Sequence, residues 1–477
     1  MSSTATLAQR KSLFWRIHFW AALIASPFAV IGALTGILYI FTPQIEAQLH
    51  GHLDVVQPAG NRQPLDAAIA AAQAAAPAGF QMRYTVPALN ADDSTRVVFA
   101  PSDKESGKKV DKAMDKGDEH SGHTMSSASA KSGMVNPPDI PAKTIKPDAT
   151  APGAGGHERI SRNVIVYVNP YTAQVLGQHG EMDRFGMWSK RLHSSLLQGD
   201  GWRWLIELSA SWLMVMLATG IYLWWPRGSK KALPQAGVTG RAGWAQWHSF
   251  IGVALAIMSL VILTTGLTWS KYSGGEIRSL RDMSGQAPPT APRGLKSAVL
   301  PDQAKLSWES LYQNAKSKAP EVAMQITPPR SADGAWRITN FDRGQPEKRF
   351  DMVLDAYSGA SLYYSGWDKQ TAFGKATAIG IPFHRGEFGW WNQALLLLFG
   401  LSVLFSTISG WVLFFKRRGK SGMFLPRLLP GAWRAAPVGA VVTALAFFVI
   451  MPLLAWTAAG VAALELLLAW RLRKTTA

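Results

Sequence analysis

Long apolar runs, separated by polar stretches, dominate the pattern of this chain. Four of them, at 17–41, 204–225, 248–269 and 390–415, carry at most one acidic side chain and no Lys or Arg. About 20 helical residues cross a bilayer, so each run is long enough to span it alone. The first run is longer than the apolar region of a secretory signal, which favours an anchor over a cleaved leader.

A fifth apolar run has a different shape. It covers 435–470, with Pro452 near its middle, Arg434 before it and Arg471 after it. Basic residues at both flanks place both ends on the same side of the membrane. The run therefore predicts a hairpin of two short spans, which brings the expected total to six.

The two long polar stretches, 43–200 and 270–388, share one order of predicted elements. Each begins with a helix, continues with three strands and ends in a strand–turn–strand, at 166–175 and 352–362. Within the first stretch, 101–157 is rich in Ser, Lys, Gly, Pro and Asp and is expected to be a disordered insertion. The predicted helices are 65–76 and 308–318, and the predicted strands are 81–86, 96–100, 163–168, 323–326, 335–340 and 349–354.

These elements indicate an internal duplication. The order helix, external α+β domain, helix occurs twice, and His18 and His248 each precede a Thr-Gly pair by the same spacing. Both copies enter and leave the membrane on the same sides, so the repeats are parallel and related by an axis along the membrane normal. The predicted fold class is a polytopic α-helical membrane protein of about six spans with two external α+β domains.

Charge then orients this arrangement. The formal net charge is +18, and 16 of the 49 Lys and Arg lie in four short segments that flank the apolar runs and contain no Asp or Glu. A nucleic-acid-binding protein would carry its excess on a folded face, whereas this pattern is typical of cytoplasmic loops. The expected cytoplasmic segments are 1–16, 226–247, 416–434 and 471–477, which makes 43–200 and 270–388 periplasmic.

Four of the ten histidines occupy matched positions at the mouths of the predicted spans. His18 and His248 lie at the cytoplasmic ends (the inner pair), and His193 and His384 lie at the periplasmic ends (the outer pair). Neutral imidazole is a good axial ligand for haem iron, and two facing helices can each offer one. The absence of Cys excludes thioether-linked haem, iron–sulfur clusters and disulfides. The pattern favours about two non-covalent haems per chain; the alternative is four interfacial histidines.

Other polar residues carry weaker hypotheses. His120 and His123, with Met114 and Met125, form a weak copper candidate whose alternative is a solvated loop. Glu207 lies inside an apolar run, which suggests either proton or quinol chemistry or a structural acid. Four basic residues near the outer pair could balance haem propionates or attract anionic substrates: Lys190, Arg191, Arg203 and Arg385.

Nucleotide-binding motifs are missing from the sequence. It contains neither a G-x-G-x-x-G after a strand nor a phosphate-binding loop, and no cytoplasmic segment leaves room for a flavin or nicotinamide domain. Any electrons must then come from a membrane quinol or a separate reductase.

Several segments resemble a known family. They are Arg16-Ile-His-Phe-Trp, Arg191-Leu-His-Ser-Ser-Leu-Leu, Thr219-Gly-Ile-Tyr-Leu-Trp-Trp-Pro, Pro382-Phe-His-Arg-Gly-Glu-Phe-Gly and Val168-Asn-Pro-Tyr-Thr-Ala-Gln-Val-Leu. Over roughly 10–420 the chain is similar to the PepSY-associated transmembrane family of bacterial iron-regulated inner-membrane proteins. The second turn, Asp355-Ala-Tyr-Ser-Gly, is a looser match, and the insertion at 101–157 is outside the family pattern.

The resemblance implies two periplasmic PepSY-like domains, haem b in the membrane and reduction of ferric siderophores in the periplasm. On this interpretation electrons cross the inner membrane from His18 and His248 to His193 and His384, and iron is released from its chelator. Two alternatives remain. One is a non-catalytic PepSY module that binds or restrains a peptidase or envelope protein, and the other is a copper-handling membrane protein.

Overall fold

The computed structural model of the chain describes residues 3–102, 163–225, 233–299, 303–417 and 425–475. His120, His123 and nearly all of the predicted insertion lie outside the described residues, as do parts of the loops at 226–247 and 416–434. Within the described ranges, the helices are α1 Ser3–Ile40, α2 Thr42–Asp54, α3 Leu65–Ala75, α4 Phe185–Ser195, α5 Trp204–Trp224, α6 Gly240–Ala254, α7 Ala256–Leu267, α8 Ser273–Met283, α9 Trp308–Lys318, α10 Ala372–Arg385, α11 Trp390–Arg417, α12 Val438–Ile450 and α13 Pro452–Thr475.

Among the described helices, α1, α5, α11 and α13 are each long and apolar enough to cross a membrane. The pair α6 and α7 makes a fifth candidate span if it is counted as one. The chain is thus a multi-pass membrane protein, but the count of six is not reached. Helix α12 has only 13 residues, which at 1.5 Å per residue extends about 20 Å, short of a hydrocarbon core of about 30 Å.

The third predicted span is also not one straight helix. It is bent by 58° between α6 and α7, at Leu255, whose φ of −104° and ψ of 8° interrupt the helical backbone. Both halves pack against α5, but the bend gives each a further partner of its own: α6 packs against α11, and α7 packs against α10. Since neither Pro nor Gly occupies the break, local sequence gave no signal for it.

The last two helices return to the end of the bundle from which they start. Arg10 donates from Nε to the carbonyl of Ala435 at 2.8 Å, just before α12. Arg16 forms a bidentate ion pair with Glu465 of α13, at 2.6 and 2.7 Å. Because Arg10 and Arg16 both lie in the first half of α1, these contacts hold α12 and α13 as a hairpin against that helix.

The two external domains share a single antiparallel sheet of eight strands in the order β4-β3-β2-β1-β5-β6-β7-β8. The joint between the halves is the pairing of β1 with β5, where Thr85 lies opposite Ile326. The sequence indicated two similar domains but not their union. The strands are β1 Phe80–Val86, β2 Thr95–Pro101, β3 Val164–Val168, β4 Val175–Gly180, β5 Met324–Thr327, β6 Trp336–Asn340, β7 Asp351–Leu354 and β8 Ser361–Ser365, each predicted strand lying within two residues of its counterpart.

Helices α3 and α9 pack on this sheet and cap each other. Asp66 of α3 accepts hydrogen bonds from the backbone N–H groups of Trp308 and Glu309 at 3.0 and 2.9 Å. In return, Glu309 accepts from the backbone N–H of Leu65 at 2.8 Å. A carboxylate at a helix N-terminus satisfies N–H groups that have no partner within the helix. The reciprocal caps tie the two halves together above one shared core.

The two terminal turns have the same geometry despite their different sequences. Asn169 and Asp355 each accept a hydrogen bond at 2.9 Å from the N–H two residues later. The tyrosines at those positions, Tyr171 and Tyr357, donate their hydroxyls to Ala91 and Ala332 at 2.8 and 3.2 Å. The looser sequence match of the second turn is therefore not a structural departure.

Candidate functional site

The four repeat-matched histidines lie in two pairs at opposite ends of the helix bundle. We call the end that carries the sheet the outer end and the opposite end the inner end. His18 and Thr35 are 17 positions apart on α1, a rise of about 25 Å. His18 belongs to the inner pair, and Thr35 contacts His193 of the outer pair. The two pairs are therefore separated by about 25 Å along α1.

In the inner pair, imidazoles from the two repeats face each other. His18 lies on α1 and His248 on α6, with ring centroids 6.4 Å apart and planes at 89°. A metal ion bound at about 2.0–2.1 Å from one nitrogen of each ring, on the line between the rings, would place the centroids roughly 6 Å apart. The observed spacing fits one metal ion held between the two rings.

A hydroxyl on the second span of the same repeat fixes each of these rings. His18 Nδ1 lies 3.0 Å from Thr219 Oγ1, and that hydroxyl donates its only proton to the carbonyl of Val215 at 2.7 Å. The hydroxyl oxygen must therefore accept, so the hydrogen-bond network assigns the imidazole proton to Nδ1. His248 has the same arrangement, with Ser409 at 2.8 Å and the Ser409 hydroxyl bonded to the carbonyl of Ser406.

The outer pair repeats the arrangement with helices exchanged. His193 on α4 lies 3.0 Å from the hydroxyl of Thr35, which bonds the carbonyl of Ile31 at 2.8 Å. His384 on α10 lies 3.2 Å from the hydroxyl of Thr265 and 3.0 Å from the carbonyl of Ile262. A carbonyl only accepts, so Nδ1 of His384 carries the proton. In this tautomer a neutral imidazole leaves Nε2 with a free lone pair at each of the four positions.

The outer rings are also electrically neutral. Burial, and after it the nearby His384, lowers the pKa of His193 to about 4. Burial likewise lowers the pKa of His384. The interaction between His193 and His384 places them within electrostatic range of each other, and a neutral imidazole is the form that binds a metal.

A glycine follows each hydroxyl residue and leaves room for the ring. A Cβ on Gly266 would lie 3.0 Å from Cε1 of His384, and one on Gly36 would lie 3.3 Å from Cε1 of His193. The equivalent distances at the inner pair are 3.4 Å for Gly220 and 3.6 Å for Gly410. These glycines set how closely each imidazole approaches the neighbouring helix.

The donor set fits haem better than a bare metal ion. Among the residues that the structure describes, no group of three or more His, Asp or Glu is placed to hold a metal, and protein sites for zinc or similar ions need about four ligands. Haem supplies four equatorial nitrogens and needs only two axial ligands. Two opposed imidazoles with free Nε2 atoms and hydrogen-bonded Nδ1 atoms meet that need.

The carboxylate of Glu207 has a structural role, because the start of α8 occupies it with hydrogen bonds. Its side chain is 3% exposed and accepts hydrogen bonds from the backbone of Tyr272 and Ser273, at 3.0 and 2.6 Å, and from the Ser273 hydroxyl. It therefore holds the start of α8 against α5. Of its two interpretations, these contacts support the structural acid.

The basic residues expected near the outer pair have different roles. Arg203 donates to the carbonyl of Trp269 at 2.9 Å and fastens α5 to the chain after α7. Arg385, directly after His384, donates from Nε to the hydroxyl of Tyr39 at 2.8 Å and pairs with Glu387 at 2.9 Å. Arg343, which no pattern in the sequence singles out, also lies here, and its charge interacts with Arg385, Glu387 and Tyr39.

Comparison with family models gives a match over residues 15–417 to the PepSY-associated TM region. The chain belongs to this family. All four histidines, their hydroxyl partners and all eight strands lie within the matched region, whereas α12 and α13 lie beyond it. The resemblance seen in the sequence is thereby confirmed at the level of the family. A search of curated proteins finds no match to the chain.

Proposed function

We propose that this protein is an electron carrier of the bacterial inner membrane that reduces ferric siderophores on its periplasmic side. The observation that carries the proposal is the four-fold repetition of one arrangement: an imidazole whose Nδ1 lies 2.8–3.2 Å from the hydroxyl of a neighbouring Thr or Ser, which leaves Nε2 on the opposite side of the ring for a metal. Hydrogen bonds of this kind at the non-ligating nitrogen are typical of histidines that bind metals.

Two b-type haems are the cofactors that we assign to these residues. His18 and His248 would hold one, and His193 and His384 the other. Bound there, haem supplies one-electron transfer. The chain would hold each haem through its two histidines, whose rings are oriented by Thr219 and Ser409 at the inner pair and by Thr35 and Thr265 at the outer pair.

The arrangement of the two pairs supports transfer across the membrane. They lie at opposite ends of the same helices, and the outer pair adjoins the shared sheet. An electron that enters near the inner pair, from a membrane quinol or a separate reductase, would leave at the outer end. One electron reduces Fe(III) to Fe(II), which hard oxygen ligands of siderophores hold less tightly, so iron is released.

The decisive experiment is an absorption spectrum of the purified protein, followed by reoxidation. We expect about two haems per chain that acid–acetone extracts completely, because no Cys is present to attach them. Dithionite-reduced protein mixed with a ferric hydroxamate or catecholate in a stopped-flow instrument should reoxidise faster than it does in buffer.

Two outcomes would contradict the proposal. A folded, colourless preparation from haem-replete cells would remove the cofactor and favour the non-catalytic PepSY module. A haem protein that no ferric chelate reoxidises would keep the electron carrier but remove this substrate class. Copper handling through His120 and His123 stays a prediction, tested by copper binding before and after deletion of 101–157.

A further inference from the structure

A group of arginines at the outer end has more positive charge than the nearby acids neutralise. Arg343 and Arg349 lie on the loop between β6 and β7, and Arg385 lies at the end of α10. Within the part of the chain that the structure describes, the guanidinium groups of Arg343 and Arg349 make no hydrogen bond or ion pair. Three of the acids around them, Asp342, Asp351 and Glu387, are engaged by other groups, whereas Glu347 of the same loop is exposed.

Asp351, Asp342 and Glu387 each have identified partners. Asp351 forms a bidentate pair with Arg337 at 3.0 and 2.8 Å. Asp342 accepts from the backbone N–H of Gly344 and from Gln345, at 2.7 and 2.9 Å. Glu387 pairs with Arg385 through Oε1.

Glu387 is the acid that could compete with an anionic ligand. Burial raises the pKa of its carboxyl group above the ordinary value, and its Oε2 is buried with no hydrogen-bond partner. Its positive neighbours Arg385 and Arg343 only partly oppose that effect. Its negative charge is therefore disfavoured in this place, so it compensates Arg385 and Arg343 only in part.

The loop is fastened beside the outer pair. A Cβ on Gly344 would lie 2.9 Å from the carbonyl oxygen of Glu387, so the backbone next to Arg343 contacts the chain three residues beyond His384. On the other side, the charge of Arg343 interacts with Tyr39, one turn after Thr35 on α1. Arg343 thus adjoins the elements that position both outer histidines.

The two arginines differ in exposure: the side chain of Arg343 is exposed, and that of Arg349 is half-buried. The side chain of Arg343 reaches solvent, yet the atoms around it, and after them the charge of Arg385, lower its pKa. Burial and the charge of Arg343 lower the pKa of Arg349 in the same way. Partly desolvated, unpaired cations are costly, and an anionic partner would relieve that cost.

We propose that Arg343, Arg349 and Arg385 form a carboxylate-binding site at the outer end, beside His193 and His384. The planar fork of a guanidinium matches a carboxylate in a bidentate manner, which a point charge such as Lys does not. The carboxylates would be either the propionates of the outer haem or those of a ferric chelate, and in this respect the site rests on the proposed function.

The experiment uses the full-length protein in nanodiscs. The variants are Arg343→Gln, Arg349→Gln and the double variant. Arg330→Gln is the matched control, because Arg330 is an exposed arginine of the same domain on another loop. Arg385 is left unchanged, since it also bonds Tyr39.

The first arm tests the propionates. Haem-depleted protein is titrated with haem b and with its dimethyl ester, and the absorbance of the outer site is followed. If propionates are the ligand, the wild type prefers the free acid by about 10-fold or more, and the double variant loses that preference while Arg330→Gln retains it.

The second arm tests the substrate. Gallium(III) citrate, which cannot be reduced under these conditions, is titrated calorimetrically into the haem-depleted protein. If the site takes a chelate, its affinity falls by about 10-fold for each arginine removed, and the preference between haem and its ester is unchanged. Arg343→Lys should bind the chelate with an affinity between those of the wild type and Arg343→Gln. The same variant replaces the glutamine variants if they fail to fold.

The proposal is overturned if the double variant equals the wild type in both arms. A chain that takes up no haem would contradict the proposed function alone, because the gallium citrate titration would still decide the carboxylate site.

Discussion

The inner and outer histidine pairs use the same contacts but are built on different supports. His18 and His248 lie on α1 and α6, within the membrane bundle. His193 and His384 lie on α4 and α10, short helices that follow the sheet and end in left-handed residues, Leu196 and Gly386. The partners differ accordingly: the inner histidines lie against hydroxyls of α5 and α11, whereas the outer histidines lie against hydroxyls of α1 and α7.

The difference in supporting helices determines which pair is affected by events in the external domains. The inner pair is fixed by helix packing in the bundle. The outer pair is fixed by helices that the sheet carries, so forces on the external domains reach His193 and His384 first. A ligand that binds outside the membrane is therefore expected to affect the outer site and leave the inner site unchanged.

The largest effect is expected from removing the histidines themselves. Because each pair combines one histidine from each repeat, the proposed function predicts that His18→Ala and His248→Ala lose the same haem, and that His193→Ala and His384→Ala lose the other. Haem content and low-temperature spectra of the four variants measure this. Matching spectra for His18→Ala and His193→Ala would mean that the pairing runs within a repeat instead.

Much of the arrangement of the two histidine pairs could be predicted from the sequence, because the patterns that indicate it are local. The spans, the strands and the matched histidines follow from apolar runs, alternation and spacing. The sequence could not predict that Thr85 pairs with Ile326. These residues are far apart in the chain, and the two halves of the sheet meet at one pair of strands, β1 and β5. The break at Leu255 and the unpaired Arg343 also depend on tertiary neighbours, which no local pattern reports.

The glycines sharpen the comparison with a smaller effect. Alanine at Gly266 would bring a Cβ to 3.0 Å from the outer His384, whereas alanine at Gly410 would lie at 3.6 Å from the inner His248, an ordinary contact. We expect Gly266→Ala to weaken haem binding at the outer site by about 10-fold and Gly410→Ala to leave the inner site nearly unchanged. Haem titration of both variants measures this, and the opposite order would contradict the packing described here.

The smallest expected effect is on the stability of the outer end at low pH. Burial alone would raise the pKa of Asp54, but hydrogen bonds and charge from Arg184, with Arg96, outweigh burial and hold it below the ordinary value. Arg184 immediately precedes α4, which carries His193. A lowered folded pKa stabilises the protein above the ordinary aspartate value of about 4, and that stabilisation is lost as pH falls through the lowered value.

On acidification the outer haem should therefore be released before the inner one. Asp54→Asn should lower the stability of the outer end at pH 7 by about 1.5 kcal/mol and flatten its dependence on pH below about 4. Thermal release of each haem, followed by absorbance between pH 3 and 7, measures both effects. An Asp54→Asn protein with the pH profile of the wild type would show that another group governs acid release.

The shared sheet has a consequence for the origin of the chain. Its strand order is a palindrome about the joint between β1 and β5, the caps of Asp66 and Glu309 cross that joint in both directions, and each histidine pair takes one member from either half. These are the features of an isologous dimer, in which the same surface of each partner meets its counterpart. A single repeat would expose a bare strand edge and hold half of each site, so two copies of a half-length ancestor could have assembled the whole molecule before fusion joined them.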